Sequence, residues 1–434
     1  MHIRELAGKT VSILGFGKEG RAMLAALEQF APGCEVTVAD QDASVTLPTG
    51  SRHWLQVGEG WLKNLEKFDI IIKSPGIPPS VLSTIHFPLI SPTQIFLDSI
   101  KDTGATVIGV TGSKGKSTTA SLITGILKAA GKNVFLVGNI GEPAIAHLKD
   151  AATNTIFVQE MSSYQLMDLT SSPHIAVVTA FFPEHLDYHG SMEAYKEAKK
   201  HITRFQTKDD CVFFAADSDG AEEIAGESKG RRIPFSAQDA PVAIGETILI
   251  GTHNLSNIAA AYAVAKRLGI PQDIAVKAIK GFIPLPHRLQ SLGVIGGIEW
   301  VDDSISTTPE SAIAALDALS DRVGTIILGG QDRGYDFSPL AKRLKNSKVQ
   351  TVLLLPDSGA TILKAIKHEK VAVECSEVKT MKEAVALAKK NGKWIMDNGK
   401  YPPVVLLSPA SPSYGHFRNF EERGNAFKAE IDNL

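Results

Sequence analysis

The chain has 434 residues, a formal net charge of −2, 44% hydrophobic and 21% charged residues, the composition of ordinary folded domains with sizeable cores. That balance excludes a general affinity for nucleic acid or an anionic membrane surface, and no apolar run approaches the ~20 residues of a membrane span. Cys34, Cys211 and Cys375 lie far apart and read as single buried thiols of a reducing compartment; with no signal-peptide core at the N-terminus, a soluble cytoplasmic protein is expected.

Strand and helix patterns alternate along the whole length, which predicts an α/β fold with parallel sheets. At ~150 residues per domain there is room for about three. The first block has strands at Thr10–Leu14, Glu35–Ala39 and Asp69–Lys73, and its N-terminus is expected to run straight into the first of them. Gly15-Phe-Gly-Lys-Glu-Gly20 follows the first strand, and Asp40 lies some twenty residues on, at the end of the second. That is the dinucleotide-binding pattern, which serves equally for any ligand with a pyrophosphate and a ribose, an NAD or a UDP-sugar. A Pro-rich stretch from Pro75 to Pro92 and a short helix over Ile95–Ile100 close the block, so the first domain is placed at residues 1–100.

The strand Ala105–Ile108 then opens a phosphate-binding loop, Gly109-Val-Thr-Gly-Ser-Lys-Gly-Lys-Ser-Thr118, followed by a helical pattern through Leu122, Ile123, Ile126 and Leu127. Backbone N–H groups at the start of that helix would point at a phosphate, aided by the helix dipole. Gly112, Ser113, Lys114 and Gly115 form the loop, Lys116 reaches the outer phosphates, and Ser117 and Thr118 open the helix. The spacing departs from the general motif. Gly109 to Gly115 is one residue too long and Gly112 to Gly115 two too short, a narrower form, T-G-x-x-G-K-[ST].

Strands at Asn154–Gln159, Ile175–Thr179 and Cys211–Ala215 continue the second block. Glu160 therefore sits at a strand's C-terminal end, the edge where open α/β sheets bind ligands, and a carboxylate there suits Mg²⁺. His185, in Pro183-Glu-His-Leu-Asp187, follows the next strand onto the same edge, and Lys199 lies on a helix just beyond. Each has a bland reading as a capping Glu, a loop His and a solvated Lys; their shared placement beside a phosphate loop favours function. Residues 230–252 read as short strands of a small antiparallel patch. Asn254–Ala265 reads as a helix and Pro284–Arg288 as an interdomain linker, which places the second domain at residues 101–288. A third α/β domain, residues 289–434, is expected from strands at Gly324–Leu328, Val349–Leu355, Val371–Glu374 and Val404–Ser408.

Taken together, Thr111-Gly-Ser-Lys-Gly-Lys-Ser117, Glu160-Met-Ser-Ser-Tyr-Gln165, Glu184-His-Leu-Asp187, His253-Asn-Leu-Ser-Asn257, Leu285-Pro-His-Arg288 and Asp302-Asp-Ser304 resemble, in order, the motifs of the Mur ligases, ATP-dependent amide ligases that build the peptidoglycan stem peptide. The resemblance covers essentially the whole chain. It implies three consecutive α/β domains: a Rossmann-like N-terminal one, a central P-loop ATPase-like one and a Rossmann-like C-terminal one. Ser74-Pro-Gly-Ile77, Gly138-Asn-Ile-Gly141, Leu407-Ser-Pro-Ala-Ser411 and Asn419-Phe-Glu-Glu-Arg-Gly424 look most like the subgroup that adds glutamate in the second step.

By that resemblance the partners are UDP-N-acetylmuramoyl-L-alanine and D-glutamate and the cofactors are ATP and two Mg²⁺ ions; a monomer is expected, though no residue pattern in the sequence reads out the oligomeric state. Lys116 would stabilise the moving phosphoryl group. Ser117 and Glu160 would hold one Mg²⁺, with His185 and a carbamylated Lys199 serving a second. Asn254, Asn257, Arg288 and Asp303 would bind ATP; Gly15, Lys18, Glu19, Asp40 and Gly76 the UDP; and Asn139 and Ser162 the muramoyl-alanine end. Thr307, Arg333, Ser413 and Phe420 would bind the amino acid.

Three departures stand out. Ile305 occupies the place of a lysine in the D-glutamate subgroup, Gly415-His416 that of a frequent Asp-Gln pair, and Phe182-Pro183 that of a Thr-Glu pair. A related subgroup joins L-glutamate instead, and the sequence leaves the two enantiomers open. A folate polyglutamate ligase leaves the N-terminal UDP-type domain without a purpose, an NAD dehydrogenase leaves the P-loop without one, and a nucleotide-binding protein without catalysis leaves the intact Lys116, Glu160 and Lys199 unexplained.

Overall fold

The computed structural model describes residues 1–83, 87–182, 186–398 and 402–434. They form two compact units, Met1–Ala243 with Leu255–Gly281, and Ile244–Asn254 with Phe282–Leu434.

The first unit contains two sheets. A short 3₁₀ helix, Ile3–Leu6, precedes the first, where the sequence suggested an immediate strand; His2 and Glu5 cap it reciprocally and use the backbone groups a strand would need. Strands β1 (Thr10–Leu14), β2 (Glu35–Asp40), β3 (Trp54–Val57), β4 (Ile70–Lys73) and β5 (Leu89–Ile90) pair in the order β3-β2-β1-β4-β5, all parallel. Residues 11–14 of β1 are buried without alternation, as expected for a central strand covered on both faces. The order reverses between β1 and β4, so their C-terminal ends, at Gly15 and Ser74, flank the crevice where such sheets bind ligands.

The second sheet comprises β6 (Thr106–Thr111), β7 (Asn133–Gly138), β8 (Thr155–Glu160), β9 (Ile175–Val178), β10 (Cys211–Ala215) and β11 (Arg231–Phe235), ordered β11-β10-β9-β6-β8-β7 and again parallel. The antiparallel patch expected over residues 230–252 is not there. Arg231–Phe235 extends the parallel sheet as its edge strand, where Pro234 is tolerated, and only 3₁₀ turns follow at Ala237–Asp239 and Ile244–Glu246.

The second unit is built on β12 (Gln290–Ile295), β13 (Ile298–Asp302), β14 (Val323–Gly330), β15 (Thr351–Asp357), β16 (Glu374–Glu377) and β17 (Val404–Leu407), ordered β12-β13-β17-β14-β15-β16. All pairs are parallel except the β12–β13 hairpin, which turns through Gly296-Gly297. Two apolar layers cover the sheet. Leu316, Leu340 and Ile362 pack on one face, Trp300, Val385 and Phe427 on the other. The strand expected at Val371–Glu374 lies a few residues later, because its pairing with β15 begins only at Glu374. The cysteines are free; Cys34 and Cys211 are buried, while Cys375 is half-buried.

Candidate active site

The phosphate loop emerges from the buried central strand β6 and is shaped by what crowds it. Gly112 has φ 143° and a Cβ there would lie 1.9 Å from Thr179 Oγ1; Gly115 has φ 85° and a Cβ would lie 2.2 Å from Asn257 Oδ1. Neither position admits a side chain. Thr179, just past β9, donates from the same hydroxyl toward the carbonyls of Thr111 (3.0 Å) and Lys114 (2.6 Å). Ser113 Oγ lies 2.8 Å from both the carbonyl and the N–H of Phe182, and 3.1 Å from the Tyr195 hydroxyl. The loop is thus pinned from outside before any phosphate arrives. Thr179 and Tyr195 were not singled out in the sequence, since nothing in a lone Thr or Tyr announces that it holds a loop.

Ser117 and Thr118 are buried in the first turn of the helix Lys116–Ala129. Lys116 Nζ donates to the carbonyls of Gly112 (3.0 Å) and Ser113 (2.7 Å). Lys199, 1% exposed on the helix Met192–Arg204, donates to the carbonyl of Gly112 (2.9 Å) and to Thr111 Oγ1 (3.3 Å), and its ammonium lies 4.7 Å from the Tyr195 ring centroid. Two ammonium groups therefore converge on one carbonyl of the loop.

Glu160 ends β8, opposite Val110 of the loop strand, and is 1% exposed. Asn139 donates to its Oε1 at 2.9 Å, while Oε2 is buried and makes no hydrogen bond among the described residues. A buried carboxylate oxygen left in this state is poised for a cation or a donor supplied by a ligand. Asn257 accepts from Thr119 Oγ1 at 3.3 Å, beside the loop as expected. His185 lies outside the described residues. Among the described residues no group of three His, Cys, Asp or Glu side chains that could hold a metal forms.

The fingerprint loop after β1 is stitched to the same body. Asp40 accepts from the Phe16 N–H (2.6 Å) and the Asp42 N–H (2.9 Å), so in this structure its carboxylate organises the loop itself. Ser74 donates to the Gly15 carbonyl at 2.8 Å. Gly76 follows β4 with open space around it, and Lys18, exposed, opens the helix Lys18–Phe30. Glu19, held above the usual carboxylate range by burial against the opposing pull of its bond from Gln165 Nε2 (3.0 Å), meets the capping box that Ser162 and Gln165 form beyond β8. An ion pair between buried Lys73 and half-buried Asp168, at 2.5 Å, ties the end of β4 to the segment behind that box. Tyr188 donates to the carbonyls of Pro75 and Ile77, at 2.9 and 3.0 Å. Neither contact was legible in the sequence, because the partners lie more than ninety residues apart.

In the second unit, Asp303 is fully buried at the end of β13. It accepts from the Leu289 N–H (3.1 Å) and from the hydroxyls of Ser408 (2.8 Å) and Ser306. Burial pushes its carboxyl up to about 6 against the pull of those donors. Asp302 pairs with His287 Nδ1 at 2.7 Å, beneath Gly424. Asn254 Nδ2 donates to the Ile250 carbonyl at 2.8 Å, and burial, then the nearby Arg288, hold His253 below the usual imidazole range.

The four residues expected to meet the amino acid do not share one lining. Ser413 is buried against a cavity of about 350 Å³ at the C-terminal ends of β14 and β15. Arg333 is not part of that lining. It is exposed, with Nε on Gln331 at 3.1 Å and its guanidinium 5.8 Å from the Tyr414 ring. Thr307 precedes the Thr308 cap of the helix Pro309–Leu319, and Phe420 opens the helix Phe420–Asp432, its carbonyl accepting from Ser304 Oγ at 2.8 Å. Arg423, unassigned in the sequence, lines the cavity at 1% exposure.

Residues 110–242 match the Mur ligase middle domain and residues 287–400 the Mur ligase, glutamate ligase domain. A UDP-N-acetylmuramoyl-L-alanine–L-glutamate ligase of Salinispora tropica is 36% identical over 460 residues, covering 99% of each chain. The chain belongs to the Mur ligase family. A UDP-N-acetylmuramoylalanine–D-glutamate ligase of Symbiobacterium thermophilum is 33% identical over 464 residues, covering 98% of each chain. Among solved structures, the MurF ligase of Thermotoga maritima in complex with ADP matches this Mur ligase with a TM-score of 0.61 at 18% identity, covering 100% and 97% of the two chains, which speaks for the fold. This Mur ligase is an ATP-dependent ligase with the α/β fold its sequence implied, built on three sheets.

Proposed function

We propose that this Mur ligase joins glutamate to the L-alanine carboxylate of UDP-N-acetylmuramoyl-L-alanine in the cytoplasm, with D-glutamate as the leading acceptor, working as a monomer with domains at 1–100, 101–288 and 289–434. The observation that carries the reading is the unsatisfied Glu160 Oε2 at the strand edge next to a loop that already holds two ammonium groups. Such a site suits bringing two anions together, a carboxylate and a triphosphate.

The carboxylate oxygen attacks the γ-phosphorus and ADP leaves, giving an acyl phosphate. The amine then adds to the acyl carbon, and the tetrahedral intermediate expels phosphate as the nitrogen loses its proton. In this scheme Lys116 turns from the loop carbonyls to the transferring phosphoryl group. Gly112, Ser113, Lys114 and Gly115 offer backbone N–H groups, and Asn254, Asn257, Arg288 and Asp303 hold the rest of the nucleotide. Gly15, Lys18, Glu19, Asp40 and Gly76 receive the UDP, with Asn139 and Ser162 toward the reacting end.

Glu160 and Ser117 fit one Mg²⁺, both being hard oxygen donors and the first having a free buried lone pair. When bound, such ions neutralise charge between the two anions. For a second ion, Lys199 must first become a carbamate, its ammonium losing one proton to give the amine and a second as the nitrogen bonds to carbon dioxide, since an ammonium cannot ligate a cation. His185 completes that set in the proposal.

L-glutamate is the second reading, favoured by the 36% identity to the Salinispora tropica ligase and by Ile305 and His416 standing where the D-glutamate subgroup has other residues. One assay tests both. Phosphate release is measured with UDP-N-acetylmuramoyl-L-alanine, ATP and Mg²⁺ alone, then with D-glutamate, L-glutamate or D-aspartate. Release that requires D-glutamate supports the leading reading and release that requires L-glutamate the second. Release at background with every amino acid rejects the proposal.

A further inference from the structure

The turn that follows β4 is held by side chains far from it in sequence. Ser74 donates from Oγ to the Gly15 carbonyl at 2.8 Å, and the Ile77 N–H closes the turn on the Ser74 carbonyl at 3.2 Å. The turn is thereby fitted to the fingerprint loop at the crevice between β1 and β4, which leaves the Pro75 and Ile77 carbonyls to find donors elsewhere. Tyr188, half-buried on the one-turn helix Leu186–His189, serves both. Its hydroxyl lies 2.9 Å from the Pro75 oxygen and 3.0 Å from the Ile77 oxygen, one proton shared between two acceptors. Burial, then the charge of Asp168, raises the phenol above its usual range, so the group stays a donor near neutral pH.

Tyr188 is itself fixed. Its ring centroid lies 4.1 Å from that of Tyr164, its hydroxyl 3.9 Å from the Met167 sulfur, and the next residue, Asp168, pairs with Lys73 just ahead of the turn. His189, beside Tyr188, stands 2.9 Å from Ser163 Oγ through Nε2. The His189 ring also lies 5.4 Å from that of Tyr195, whose hydroxyl is 3.1 Å from Ser113 Oγ of the phosphate loop. The aromatic platform that grips the turn is therefore the one that braces the phosphate loop. Rigid support of this kind keeps a binding loop in its productive geometry.

We propose that Tyr188 is a positioning residue for the UDP-linked substrate, its hydroxyl holding the Ser74–Ile77 turn in the shape that receives the UDP. The assignment rests on the reading of this crevice as the UDP site and adds to it the side chain that shapes it. Engaged by Tyr188, the Pro75 and Ile77 oxygens cannot swing onto an anionic diphosphate. Without the hydroxyl both carbonyls lose their donor, and the turn gains freedom that substrate binding must then remove. In this role Tyr188 acts through the turn and not on the reacting atoms.

Tyr188→Phe and Tyr188→Leu are compared with the unaltered full-length protein. The first keeps the ring against Tyr164 and removes only the hydroxyl. Calorimetric titrations with UDP-N-acetylmuramoyl-L-alanine and, separately, with ADP read the two sites, and thermal melts check folding. The proposal expects Tyr188→Phe to bind the UDP substrate roughly 10-fold more weakly, the effect of about one hydrogen bond, and ADP with unchanged affinity. In steady-state assays the KM for the UDP substrate should rise by a similar factor, while kcat and the KM for ATP change by less than about twofold. A merely structural loss would not weaken one ligand and spare the other. Tyr188→Phe that binds the UDP substrate as well as the unaltered protein, or loses ADP in equal measure, overturns the proposal, and so does a loss confined to Tyr188→Leu, which would show that ring packing alone matters. If the unaltered protein does not bind UDP-N-acetylmuramoyl-L-alanine, the UDP reading of the crevice falls and the role of Tyr188 with it. If it binds but releases no amino-acid-dependent phosphate, the ligase reading fails, while the titrations still decide what Tyr188 does.

Discussion

Asn139 Nδ2 donates to Glu160 Oε1 at 2.9 Å, and among the described residues this one bond leaves Oε2 of the same buried carboxylate with no hydrogen bond of its own. The pair thus orients the acid and keeps one oxygen available. Glu160→Gln retains the shape and the Asn139 contact but removes the charge. Phosphate release should fall about 100-fold or more, in the range seen when one preorganised electrostatic partner is lost. Thermal stability should stay level or rise, because an unpaired buried charge has gone. A variant that melts early while retaining activity would show that Glu160 is structural.

Gly112→Ala places a methyl 1.9 Å from Thr179 Oγ1 at φ 143°. Strain and overpacking together should cost roughly 2–4 kcal/mol and weaken ADP binding. Gly131→Ala, also at positive φ (71°) but with open space around it, should cost only about 1 kcal/mol. Urea denaturation of the two variants separates the contributions, and equal losses would show that crowding by Thr179 is not the constraint.

Gly76 has open space where a Cβ would sit and an ordinary negative φ, so Gly76→Ala should fold and melt like the unaltered protein. Its assignment to the UDP site predicts a raised KM for the UDP substrate with an unchanged KM for ATP. Initial-rate kinetics varying each substrate decide, and an unchanged pair of constants removes Gly76 from the site.

Lys199→Ala removes a buried ammonium that donates to the Gly112 carbonyl. Activity should collapse, and a short-chain carboxylic acid added to the assay should restore part of it by standing in for the carbamate. Depleting bicarbonate from the unaltered enzyme should lower its rate reversibly. If neither the acid nor bicarbonate changes any rate, the ammonium itself is the working group.

Asp303 gives a pH prediction with a definite sign. Its folded carboxyl, raised by burial to about 6, lies above the ~3.9 of an unfolded aspartate. Between those values the folded state holds the proton and the unfolded state does not, so stability falls as pH rises from about 4 to 6 and is level above that. The full amplitude is roughly 3 kcal/mol at 1.4 kcal/mol per unit. Denaturation of the unaltered protein and Asp303→Asn across that range should show the difference shrinking to a constant. Parallel curves would show that Asp303 titrates normally.

Much of this molecule is written locally. Glycine spacing, Lys116-Ser117, an acid after one strand and a lysine on the following helix require only short-range chemistry, and the structure places Lys116, Glu160, Asn139 and Lys199 around the loop. What stayed hidden depended on distance along the chain. The shift of Arg231–Phe235 from an imagined antiparallel patch to a parallel edge was set by β10, not by its own residues. The motifs Gly138-Asn-Ile-Gly141 and Asp302-Asp-Ser304 mark where β7 and β13 end, but the pairing of those strands with β8 and β17 is set by segments elsewhere in the chain.

The sequence by itself determined the chemistry available: a phosphate loop, hard oxygen donors and an α/β alternation that puts them at strand ends. Pattern and spacing suffice for that, because strand period and helix capping act over a few residues. Only the tertiary structure decided which groups are satisfied. Thr179 holding the loop, Asn139 engaging one oxygen of Glu160 and buried Arg423 donating to the Ser304 carbonyl are outcomes of packing between segments 68, 21 and more than a hundred residues apart. Burial and partner geometry set those energies, and neither exists until the strands have been brought side by side.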